Sequence, residues 1–327
     1  MRRSALLTLL LLASALLIAA GLWVGSTGWR GGHASIDAQI LWQIRLPRSL
    51  GAWLAGALLG LAGVIAQGLF RNPLADPYLL GSASGATLAV ALSLIAFGGH
   101  TVLGLGLLVQ MGMTGAAFVG AALAVILTIA MAGGAAQTMR LLLSGVIVGV
   151  VLGAATSLVT LTYPETLQTM QSFMLGTTSF LDTTSVRLML GVLLACLAFA
   201  LALAPVLDGL VLGEATAKSL GLPIKKSRVV LIAALALATG AAVAQTGLVA
   251  FVGLAAPHMV RALCRASARW TLLLSALMGG ALLLAADVLA RAAIAPQELP
   301  VGLLTALLGG VYLLYLMHRS GHFSREA

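Results

Sequence analysis

The chain has 327 residues, 61% of them hydrophobic and 8% charged, and its mean hydropathy is +1.09. An ordinary soluble domain, about a quarter of whose residues are charged, is excluded. The net charge of +9 is what membrane insertion beside anionic lipid produces and calls for no nucleic-acid partner.

A hydrocarbon core of about 30 Å needs roughly 20 apolar residues per helix. Apolar runs at 5–24, 50–69, 79–97, 112–132, 141–162, 186–205, 228–248, 250–264, 271–292 and 301–317 predict ten spans, an all-α polytopic bundle forming a single transmembrane domain over 1–327. The first run follows Arg2 and Arg3 in the manner of a secretory signal. It is read as an uncleaved helix because the bundle continues in the same style. "RLPR" at 45–48 precedes the second run, in which Gly56 and Gly60 share a face.

"RNPLADPYLLGSASGA" at 71–86 concentrates polarity between the second and third spans. Pro73 and Pro77 prevent continuous helix, Asn72 and Asp76 can bond freed backbone groups, and Ser82 and Ser84 can serve the next helix start. In the fifth span Gly145, Gly149 and Gly153 fall on one face, a spacing that lets helix backbones approach closely.

The 207–228 connection is too long and too patterned for a turn. Asp208 and Gly209 can start a short helix, and "GLP" at 221–223 can stop it. Leu212, Ala215, Ala217 and Leu220 form an apolar patch beside Glu214 and Lys218, suited either to lying on the membrane or to docking a soluble partner. The eighth span is short and interrupted by Pro257 and His258. In the ninth, Asp287 and Arg291 stand at i and i+4, where an ion pair is available.

With both termini cytoplasmic, thirteen of the 18 basic residues fall inside, while Arg30, Arg45, Arg48, Arg187 and Arg291 face out. Arg45, Arg48 and Arg291 therefore stand against the topological preference, which leaves snorkelling to lipid phosphate or docking of a partner as their use. No glycine is followed by lysine, so no phosphate-cradling G-x-x-x-x-G-K-[ST] loop exists. H-E-x-x-H and G-x-S-x-G are also missing. Neither catalytic nor metal-ligating residues are expected. Cys196 and Cys264 sit in apolar runs as packing residues.

Several segments together carry a family signature: "RLPR", the 71–86 stretch, "RLLLSG" at 140–145, "LGEATAKSLGLP" at 212–223, "GLVAFVGLAAPHMVR" at 247–261, "AADVLAR" at 285–291 and "PQELPVG" at 296–302. The chain resembles the ten-helix permease subunits of type II ABC importers for iron siderophores, haem and cobalamin. That resemblance implies a bacterial inner-membrane permease, paired most simply as a homodimer, with two ATPase subunits below and a periplasmic substrate-binding protein above. ATP and Mg would be held by the ATPase, and this chain would bind no cofactor. It places Asn72 and Leu74 at a cytoplasmic gate facing Thr138 and Met139. It makes 208–222 a coupling helix that meets the ATPase through Asp208, Leu212, Glu214, Ala217, Lys218, Leu220 and Gly221. Arg45, Arg48 and Arg291 would pair with acids on the binding protein.

The chain departs from the family pattern at "FMLGTTSF", 173–180, which bears on the outer vestibule, and at Val311, which bears on the shape of the last helix. An iron chelate, haem or a ferric siderophore, is the expected cargo, with cobalamin as the alternative; His33 and His100 are outer-side candidates for touching haem. The rival from another class is an ion-coupled secondary transporter with Asp287 as proton carrier. A third reading is a structural membrane subunit with no pathway.

Overall fold

The computed structural model describes residues 1–25, 28–29, 38–96, 106–135 and 137–323, so Arg30, His33 and His100 lie outside the described residues. Among those described are thirteen α-helices of at least six residues: α1 Arg3–Trp23, α2 Leu46–Phe70, α3 Ser82–Ala96, α4 Gly106–Met131, α5 Thr138–Thr162, α6 Leu167–Leu175, α7 Thr183–Ala202, α8 Ala204–Val211, α9 Glu214–Ser219, α10 Ile224–Thr246, α11 Val252–Leu263, α12 Ala268–Ala292 and α13 Val301–Phe323. A two-residue antiparallel ladder pairs Val24–Gly25 with Gly28–Trp29.

Among the described residues seven helices are long and apolar enough to cross a membrane: α1, α2 with its lead-in from Ala38, α4, α5, α7, α10 and α12. α3 and the Val301–Leu314 part of α13 are shorter apolar helices, and α11, of 12 residues, occupies the eighth expected run. Three short helices lie outside that expectation. α6 interrupts the outer connection, and α8 and α9 divide the segment expected to hold one helix.

Lipid supplies little hydrophobic drive between helices, so close backbone packing must hold the bundle. It does so most fully around α2, the helix with nearly every residue buried. α12, α10, α11 and α7 pack around it. A Cβ added at Gly56 would lie 2.2 Å from the Gly279 carbonyl oxygen, and one at Gly60 would lie 2.2 Å from that of Ser275. α5 approaches the 71–86 connection in the same way, since a Cβ at Gly145 would fall 2.1 Å from Leu79 O. The expected packing face ends there. A Cβ at Gly149 would meet only Ser84 Oγ at 3.6 Å, and Gly153 has nothing within 4 Å. The structure thus corrects the packing role given to Gly149 and Gly153, because α3 and α5 part and leave a cavity.

Irregular backbone inside the bundle is tied to its neighbours, as an apolar medium requires. α10 ends at Thr246, Gly247 adopts φ +67°, Leu248 N–H donates to Phe173 O at 3.0 Å, and Thr177 N–H donates to Thr246 O at 2.8 Å. Pro257 lies within α11 without ending it.

Candidate functional site

The two ends of the bundle collect the polar chemistry. At the outer end, Asp287 of α12 is wholly buried. It accepts hydrogen bonds from Arg48 Nε at 3.2 Å, Arg48 Nη2 at 3.1 Å and Thr178 Oγ1 at 2.6 Å, and it pairs with Arg291. Arg48 also forks onto Glu298, with both N···O distances at 2.9 Å, and Ser179 Oγ–H donates to the same carboxylate at 3.0 Å. Burial alone would raise the Glu298 carboxyl, but hydrogen bonding to and charge from Arg48, with the Ser179 hydroxyl, hold it below the usual range.

The remaining guanidinium donors close the end of α1. A helix leaves its last carbonyls without intrahelical partners. Arg291 Nη1 donates to Gly21 O and Val24 O, each at 3.0 Å, while Arg45 Nη1 donates to Leu22 O at 2.8 Å and Trp23 O at 3.3 Å. Cations at a helix C-terminus also complement its dipole.

This geometry corrects the docking expectation for two residues. Arg291 is 1% exposed and the Arg48 side chain 11%, and their donors are engaged by the chain's own acids and carbonyls. Arg45 is half-buried on α1. The i, i+4 pairing of Asp287 with Arg291 is present as expected. Sequence reasoning missed Thr178 and Glu298. The second had a usable signal, as one of very few acids near the outer arginines.

At the opposite end, the segment expected to couple to an ATPase is two helices rather than one. Pro205 opens α8, and Gly213 at φ +105° breaks it from α9. Asp208 starts neither. Its Oδ1 accepts from Ala268 N–H at 2.8 Å and so caps α12. Glu214 pairs with Lys218 at 2.9 Å and Arg228 at 3.0 Å, and these contacts hold its carboxyl below the usual range. Ala217 is buried against Gly209, and Gly221 takes φ +74° in the turn toward α10. The apolar surface left outside comprises Val211, 75% exposed, Leu212, 66% exposed, and Leu220.

The 71–81 connection folds by its own side chains. Arg71 ends α2 in the left-handed region at φ +49°, Asn72 Oδ1 accepts from Leu74 N–H at 2.9 Å, and Asp76 Oδ1 accepts from Tyr78 N–H at 2.8 Å to cap the turn Pro77–Leu80. Burial pushes the Asp76 carboxyl up. Tyr78 Oη–H donates to Val249 O at 3.1 Å, and Thr128 Oγ1–H donates to Leu80 O at 2.9 Å. Ser82 does not cap α3 with its side chain; its buried Oγ has no hydrogen-bond partner among the described residues. Leu74 is exposed and Met139 is 80% exposed, with Asn72 and Thr138 beside them, so this chain covers neither apolar tip. A cavity of about 470 Å³ bounded by Gln67, Arg71, Asn72, Asp208 and Arg261 links this connection to α8.

The model of the FecCD transport family matches residues 6–319. The chain belongs to the FecCD transport family. As such it is a membrane permease of the ABC importer type. It is 40% identical over 280 residues to the hemin transport system permease protein HmuU of Yersinia pestis, covering 84% of this chain and 82% of that one. It is 37% identical over 325 residues to the vitamin B12 import system permease protein BtuC of Pectobacterium atrosepticum, covering 98% and 94%. Ferric enterobactin transport system permease protein FepD of Escherichia coli K12 is 36% identical over 319 residues, covering 96% and 94%. Among solved structures, a metal-chelate type ABC transporter in an inward-facing conformation superposes with a TM-score of 0.83 at 27% identity, covering 97% of this FecCD chain and 99% of the other.

Proposed function

We propose that this FecCD permease carries a metal chelate from periplasm to cytoplasm across the bacterial inner membrane, with both termini cytoplasmic. Two copies form one central path, two separate ATPase subunits drive it, and a periplasmic binding protein delivers the cargo. The observation that carries this reading is the exposed apolar edge of Val211, Leu212 and Leu220 on a segment whose ions are paired at its own surface. Such an edge at the polar face of a membrane protein suits a protein partner. Met139 and Leu74 meet their counterparts across the dimer and close the inner gate. ATP binding pulls the ATPases together and the α8–α9 segments follow. This shifts the permease only because ATP binds one arrangement more tightly than the other.

The cargo is an iron chelate, haem or a ferric siderophore; the hemin and ferric enterobactin relatives support this. The vitamin B12 relatives favour cobalamin as the second reading. An ion-coupled mechanism through Asp287 is disfavoured, because that carboxylate is wholly buried with its oxygens engaged by two guanidiniums and a hydroxyl of the same chain. The test is ATP hydrolysis by the reassembled complex with haem, a ferric siderophore and cobalamin compared side by side. Stimulation by one chelate class, dependent on its loaded binding protein, is expected; no stimulation by any would overturn the reading.

A further inference from the structure

Where α3 and α5 part, a cavity of about 230 Å³ opens between them, α6 and Leu248. Its polar lining is Ser84, Thr87, Thr156, Ser157, Thr160 and Gln171, and no charged residue contributes. Met170 and Met174 supply the apolar part of the wall, with soft thioethers that adapt to irregular shapes.

Four of the five hydroxyl protons in the lining, all but that of Ser84, are committed elsewhere. Thr87 Oγ1–H donates to Ala83 O at 2.8 Å, Thr156 Oγ1–H to Leu152 O at 2.9 Å and Ser157 Oγ–H to Gly153 O at 3.1 Å. Thr160 Oγ1–H reaches Thr156 O at 3.1 Å and Ser157 O at 3.0 Å. A hydroxyl has one proton and two lone pairs, so each of these four oxygens keeps acceptor capacity after donating to its own helix. A wall of this kind against lipid would leave those acceptors without partners, whereas a water-filled passage satisfies them. The uncovered face of α5, with Val150 and Leu161 exposed, is the side on which a second copy would enclose such a passage.

We propose that this cavity is a cargo-contacting subsite that accepts amide N–H and hydroxyl groups at the periphery of a neutral chelate and disfavours peripheral carboxylates. This rests on the importer reading above, and among the iron chelates named there it favours a neutral, amide-rimmed siderophore over haem with its two free carboxylates. A carboxylate brings only acceptors, which face the oxygens of Thr87, Thr156, Ser157 and Thr160 without forming hydrogen bonds and lose water in doing so. Gln171 is the one lining side chain here with amide donors of its own, so the preference is a bias and not an absolute filter.

Matched cargo pairs test this in proteoliposomes containing the complete complex with its ATPase and binding protein. One pair is cyanocobalamin and its monocarboxylic acid; the other is haem bis-amide and haem. For the pair that is carried, the amide member should move about tenfold faster, the scale of one or two lost hydrogen bonds. Thr156→Val with Thr160→Val keeps shape and removes two acceptors, and should shrink that preference severalfold while basal ATP hydrolysis is retained. The exposed Ser157→Ala provides a second, milder variant. Equal rates for both members, faster movement of the carboxylate, or a preference unchanged in the variants would overturn the subsite while leaving the importer reading intact. The last result would assign the preference to the binding protein. No uptake of either amide member would overturn the subsite alone, since a ferric siderophore remains open to the importer; ATP-independent accumulation would instead overturn the importer reading and the subsite with it.

Discussion

At the outer end of α12, Asp287 is enclosed and holds two guanidiniums and a hydroxyl, whereas beside its inner end α8 and α9 turn leucines outward, with Glu214 shared between exposed Lys218 and buried Arg228. The outer cluster ties together α1, α2, α12 and the 176–181 and 293–300 connections. The inner segment is tied to α2 through Leu207, to α10 through Arg228 and to α12 through Asp208. Burying charge is tolerated only with complete pairing, and complete pairing makes an element rigid. In the importer reading proposed above, the outer cluster is the fixed end and the inner segment the one that a partner ATPase moves.

The sharpest way to break that distinction is Asp287→Ala. It leaves Arg291 buried without a carboxylate and Arg48 with Glu298 alone, and removing one member of a buried ion pair costs about 3–5 kcal/mol. A large drop in thermal midpoint of the detergent-solubilised permease is expected, and an unchanged midpoint would mean that the outer cluster is not a structural anchor. Next in size is a pair of glycine substitutions. Gly145→Ala forces a Cβ against Leu79 O and should destabilise by about 1–3 kcal/mol, as overpacking does. Gly149→Ala enters open space and should be neutral or stabilising by up to about 1 kcal/mol, the helix propensity difference. The same melting measurement compares them.

At the inner end, Leu212→Asp and Leu220→Asp should shift stability by no more than about 0.5 kcal/mol, as exposed substitutions do. They should nonetheless abolish ATPase association, which pull-down of the assembled complex reads directly. The smallest effect is on pH. The Glu298 carboxyl is held low in the folded protein, so its stabilising contribution is present above the ordinary glutamate value of about 4.3. It is lost as pH falls through the lowered folded value. Glu298→Gln should flatten that acid limb of the melting profile by lowering the midpoint at neutral pH toward the acid value, with little difference from the parent at low pH.

The ten spans were legible because each needs only an apolar run of membrane length, and the break in the 71–86 stretch was legible from Pro73, Pro77 and two Asx side chains. The fate of the outer arginines was not. Charge topology marked Arg45, Arg48 and Arg291 as anomalous, but whether a guanidinium points outward or back onto the carbonyls of α1 depends on how α1 packs, and packing is non-local. Asp208 misled for the same reason, since an aspartate before a glycine reads as the start of its own helix while its carboxylate reaches the start of α12, 60 residues on. Gly149 and Gly153 continue the spacing of Gly145, yet whether a small residue meets a neighbour or a cavity depends on where α3 diverges, which spacing does not encode.

The central claim is that the permease is a path moved from its inner surface by ATP hydrolysed on another chain. Proteoliposome uptake measured first under an imposed proton or sodium gradient, and then with the ATPase and Mg-ATP supplied, tests it most directly. The account predicts no accumulation in the first condition and accumulation of a metal chelate against its gradient in the second. Uphill uptake by the permease alone on an ion gradient would contradict it.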